Sequence, residues 1–186
     1  MRQHGKFGIC SCVFTPGNRG IIFHMQTKDS FWSSLVLGMH DALVSTLGLV
    51  VGLAFADATQ YVIVLTGTIA AVTAGLSMMA SEYLSQKAGG NARGATVRGL
   101  MTGAAYVATA GMLLIPFVFT PNTIIATMMT YVVAVAIIFF FNFLKSKLNA
   151  QNFWPAFIEM LAVCFLVTFA AFLIGEGAKV FFGVEI

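Results

Sequence analysis

Residues 31–56 read FWSSLVLGMHDALVSTLGLVVGLAFA, an apolar run long enough to span a bilayer. Asp41 is its only formally charged residue, and no proline interrupts it. As a helix at 1.5 Å per residue it would reach about 39 Å, enough to cross a hydrocarbon core about 30 Å thick. The polar run Asp57-Ala58-Thr59-Gln60 then ends it. Four more apolar runs follow at residues 61–85, 99–119, 122–144 and 155–182. All are continuous, without the ten-residue alternation of a membrane barrel. The expected fold is an all-α integral membrane bundle of five spanning helices.

The whole composition agrees. Lys, Arg, Asp and Glu make up 9% of the 186 residues, against roughly 25% in a soluble domain. Hydrophobic residues make up 59% and mean hydropathy is +0.90. Disorder needs the opposite balance, and a soluble domain of this size could not hide so much apolar surface. A net charge of +3 supplies no basic stripe for nucleic acid.

Local punctuation refines the spans. Gly89-Gly90-Asn91 opens a short polar loop before the third. Thr120-Pro121 reads as an N-cap with proline at the first helical position of the fourth. Asn149 to Asn152 break the chain again, and Pro155 starts the last helix.

Charge placement suggests sidedness. Arg2, Lys6, Arg19 and Lys28 precede the first span. Lys87, Arg93 and Arg98 lie between the second and third, and Lys145 and Lys147 follow the fourth. With five spans all of these share one side, and only Lys179 falls near the other. By the positive-inside rule the N-terminus is cytoplasmic and the C-terminus outside. Residues 1–30 are then a cytoplasmic tail, with Met25 as an alternative start, and residues 31–186 form the five-span domain. Cys10 and Cys12 are two thiols without nearby partners, and Cys164 in an apolar run reads as a small core residue.

Charged groups inside lipid are costly and mark function by default. Asp29, Asp57 and Glu185 sit at span ends or outside, Glu159 in the first turns of the fifth span and Glu176 near its outer end. Asp41 differs, being about ten residues and so roughly 15 Å into the first span, close to the midplane. Gly38, Asp41, Ser45, Gly48 and Gly52 step by three and four, so they share one face of that helix. Small residues there make a packing seam, in which a carboxylate gains nothing. The second span carries a similar face through Gly67, Ala71, Gly75, Met78 and Glu82. Met78 and Glu82 stand one turn apart. A carboxylate beside a thioether suits a borderline divalent ion such as Fe²⁺ better than Mg²⁺ or Ca²⁺, though methionine is also ordinary core material. His40 points about 100° away from Asp41 and could be a metal ligand, a proton carrier or a hydrogen-bonding partner for another helix. No phosphate loop, His-Glu-x-x-His motif or convergent nucleophile and base occurs, so an enzyme is not expected.

The run from Gly38 to Gly52, GMHDALVSTLGLVVG, and the run from Ala74 to Ser85, AGLSMMASEYLS, together resemble the first- and second-helix signatures of the vacuolar iron transporter family. The resemblance is strong over the first two spans and loose over the rest. It implies a five-span homodimer that exports Fe²⁺ or Mn²⁺ from the cytoplasm in exchange for protons, through a path between protomers. By residue match Asp41 stands at the family's intramembrane aspartate, Met78 at its pathway methionine and Glu82 at the glutamate of its Gly-Glu-Tyr motif. His40 replaces an asparagine, and Ala70 stands where some members have a further acid. The glutamate-rich domain that plant-type members carry between the second and third spans is missing here. No resident cofactor is implied, because the metal is cargo. Such a protein would lie in the cell membrane of a prokaryote or a vacuolar-type membrane of a eukaryote. A passive divalent-cation channel and a non-transporting membrane scaffold are the competing readings.

Overall fold

The structure is a computed structural model that describes the backbone of residues 19–90, 92–149 and 153–182. Five helices occupy them: α1 (Arg19–Phe55), α2 (Gln60–Ala88), α3 (Ala92–Phe119), α4 (Thr123–Asn149) and α5 (Phe153–Phe182). Each is long and apolar enough to cross a membrane, and no strand occurs among the described residues. The five-span expectation holds. Cys10, Cys12 and most of the tail fall outside the described residues.

Helix ends differ from the sequence reading in four places. One is α5, which begins at Phe153 rather than Pro155 because proline is tolerated within the first turn. α1 begins at Arg19, a dozen residues before the apolar run, because nothing from residue 21 onward breaks a helix. α2 and α3 likewise extend beyond their apolar runs, so the polar connection shrinks to a turn. There Gly89 donates to the Ser85 carbonyl, and Gly90 takes a φ of 82° that favours glycine. The cap of α4 is Asn122 rather than Thr120. Its Oδ1 accepts from the Ile124 and Ile125 amides at 3.0 and 3.3 Å. An asparagine side chain reaches the N2 and N3 amides of its own helix, whereas Thr120 still closes the last turn of α3 through Pro116.

The end of α1 is a Schellman turn. Ala58 donates to the Leu53 carbonyl, Asp57 donates to Ala54, and Asp57 takes the left-handed φ of 57° at the position after the cap. Ala58 is buried just beyond it.

α1 lies at the centre of the bundle. Met39, Leu43 and Leu47 join Leu113 of α3, Ala134 and Ile138 of α4, and Met160 and Cys164 of α5 in one core, which confirms Cys164 as core material. Close approaches set the register. A Cβ on Gly38 would collide with the Thr102 carbonyl oxygen, so the backbones of α1 and α3 touch there. Gly48 meets Val167, and Gly52 meets Ala171, so α1 and α5 run parallel. α2 lies antiparallel along α3, with Gly67 against Leu114, Gly75 against Val107 and Gly103, and Gly99 against Met79 and Tyr83. Between membrane helices such contacts supply the attraction, because lipid is as apolar as leucine. Lys87, Arg98, Lys145 and Lys147 collect at one end of the bundle, called the basic end below.

Candidate metal pathway along the first two helices

At the basic end, the half-buried carboxylate of Glu82 is held by two donors. Ser34 Oγ of α1 and Gln86 Nε2 of α2 both donate to Oε1, at 3.1 and 2.9 Å. Arg98 Nη1 of α3 donates in turn to Gln86 Oε1. The Ser34 contact also fixes a level, since it sets the end of the second signature beside the start of the first span.

Met78, one turn inward, is half-buried and packs against a cluster of Ala42, Ala71, Tyr106 and Ala110. Its thioether therefore lies where α1, α2 and α3 meet.

Asp41 lies one step further in. Seven residues separate Ser34 from Asp41 on α1, an axial rise of about 10 Å. Glu82 and Asp41 of one chain thus lie at different depths along the bundle rather than side by side. The side chain of Asp41 is exposed on the single chain, and so is that of Ser45. Ser45 Oγ donates to the Asp41 carbonyl at 2.6 Å and meets the Tyr106 hydroxyl at 2.7 Å. The glycines of the α1 stripe have gone to neighbours, Gly38 to α3 and Gly48 and Gly52 to α5. What they leave between them is an open acidic position at mid-span.

His40 faces elsewhere. The charged groups that act on it are Lys145 of α4 and Glu159 of α5. A cavity of about 830 Å³ opens at the opposite end, lined by Asp57, Asn122, Tyr131, Phe165, Phe169 and Lys179 among others. It contains none of the candidate residues. Lys179 there pairs with Asp57 at 2.6 Å and Glu176 at 3.5 Å.

The donor set along α1 and α2 is carboxylate oxygen and thioether sulfur, which fits a borderline divalent metal. Among the described residues no three His, Cys, Asp or Glu side chains stand close enough to hold an ion. Residues 32–97 match the VIT1 model, which describes the VIT family. Over these residues the chain is similar to the VIT family. The match spans both helices that carry Asp41, Met78 and Glu82 and extends to the start of α3, bearing out the resemblance to vacuolar iron transporters. No curated protein and no solved structure matched the chain. The VIT match and the five apolar helices make this an integral multi-pass membrane protein.

Sequence reasoning missed Ser34, Gln86, Arg98 and Tyr106. Gln86 carried a usable signal, four residues after Glu82 on the same helix face. Ser34 and Tyr106 carried none, because their partners lie 48 and 61 residues away.

Proposed function

We propose that this chain is a proton-coupled exporter of a divalent transition metal, Fe²⁺ or Mn²⁺, that works as a homodimer. The observation that carries the reading is Asp41, an acid exposed at mid-span on the one open face of α1, beside exposed Leu37 and Ser45. A carboxylate turned to lipid costs several kcal/mol by the usual scales, about 2.5 or more. A second copy of the chain related by a two-fold axis would cover it and add a second carboxylate. The paired chains then supply two copies each of Asp41, Met78 and Glu82.

The positive-inside rule supports a cytoplasmic basic end. Glu82 receives the cation there, Met78 passes it across apolar packing, and Asp41 holds it near the midplane. A proton and a cation compete for the same Asp41 carboxylate. Release of one on arrival of the other couples the two flows.

The test is Fe²⁺ and Mn²⁺ uptake into proteoliposomes under an imposed pH gradient. Wild-type protein should transport, and Asp41→Asn should not. Equal rates for Asp41→Ala and wild type would overturn the mechanism, and flux indifferent to the gradient would make the protein a passive channel.

A further inference from the structure

Arg98 is a cation placed beside a carboxylate that it does not touch. Gly99 packs against Tyr83, so the start of α3 is level with the Glu82 turn of α2. Arg98 nevertheless reaches outward to Gln86, and the ion pairs among the described residues involve only Lys179. Gln86 stands between the two. Its Nε2 donates to Glu82 and its Oε1 accepts from Arg98. Both hydrogen bonds to Glu82 use Oε1. Among the described residues no hydrogen bond reaches Oε2.

We propose that Gln86 is a spacer that keeps the Arg98 guanidinium off Glu82 and leaves that carboxylate its charge for an incoming divalent cation. The inference rests on the metal-transport reading for its purpose, though not for its geometry. A neutral amide does this where other side chains fail. It offers a donor to one neighbour and an acceptor to the other, so both ends are satisfied without moving a charge. Without it, guanidinium and carboxylate would close into a direct, two-pronged pair. Such a pair neutralises the site, and a cation would then have to displace a bound arginine. Gln86 is accordingly a positioning residue, and its effect runs through Arg98.

That dependence is what the experiment reads. Purified wild type, Gln86→Ala, Arg98→Ala and the double variant are compared in nanodiscs by two measurements. One is Mn²⁺ affinity by electron paramagnetic resonance. The other, made without metal, is the extent of Glu82 labelling by dicyclohexylcarbodiimide, read by mass spectrometry. Gln86→Ala should weaken Mn²⁺ binding about tenfold or more, the effect expected of an opposite charge brought against a carboxylate. It should suppress labelling as well. Removing Arg98 in the same chain should restore both. If Gln86→Ala leaves both readouts at wild-type values, or if the double variant is as impaired as the single, the spacer is wrong. If wild type binds no Mn²⁺ while labelling still falls in the single variant and returns in the double, the spacer stands and the metal reading falls.

Discussion

The Ser45 and Tyr106 hydroxyls meet at 2.7 Å across the α1–α3 contact, and Ser45 spends its single proton on the Asp41 carbonyl at 2.6 Å. Tyr106 must therefore be the donor to Ser45. The pair ties the backbone of the Asp41 turn to α3. Tyr106→Phe should lower stability by about 1 kcal/mol, the worth of an ordinary hydrogen bond, visible as a lower Tm in detergent. An unchanged Tm would mean that the contact does not hold the turn.

Two glycines of α3 give a matched comparison. A Cβ on Gly103 would stand 2.7 Å from the Gly75 carbonyl oxygen, while one on Gly111 meets nothing within 4 Å. Gly103→Ala should destabilise by about 1–3 kcal/mol through forced separation of α2 and α3. Gly111→Ala should be neutral or mildly stabilising, since alanine is the better helix former. Equal Tm values for the two variants would contradict the close packing of α2 on α3.

Asp57 combines a left-handed backbone with an ion pair to Lys179. Its carboxylate is largely exposed, so the pair is screened and contributes little. The backbone should dominate. Asp57→Gly is expected to hold or raise Tm, and Asp57→Val to lower it by about 1 kcal/mol or more in stability, because a branched side chain is poorly tolerated at that φ. Parallel losses in both variants would assign the role to the ion pair instead.

His40 adjoins Asp41 in sequence but answers to Lys145 and Glu159 in space. His40→Asn should leave metal uptake at the wild-type rate. A collapse of uptake matching that of Asp41→Asn would return His40 to the pathway.

In the proposed dimer across the open face of α1, the two Asp41 positions would come together. In a chain whose native cysteines are replaced, Asp41→Cys should crosslink to a second copy under mild oxidation, and a cysteine on the outer face of α4, at Val132, should not. The reverse pattern would put the dimer contact elsewhere.

The architecture was legible because each span is a long apolar run bounded by polar residues, and lipid permits few other solutions. Helix ends were less so. Caps depend on which side chain reaches an amide, and Asn122 and Thr120 are both capable on paper. Asp41, Met78 and Glu82 stood out because a carboxylate in an apolar run is conspicuous, and a thioether one turn from Glu82 shares its helix face. The relay around Glu82 was hidden for the opposite reason. Serine, glutamine and arginine near a span end are unremarkable until register sets them beside one another.

Gly38 presses α1 onto Thr102, and further along the same helix Gly52 and Gly175 press it onto α5. A rod gripped at two heights by two parallel neighbours can neither slide nor roll alone. If Asp41 is to face first one side of the membrane and then the other, α1, α3 and α5 must travel as a single block. The hinge of such a machine would then lie at the seam between two copies.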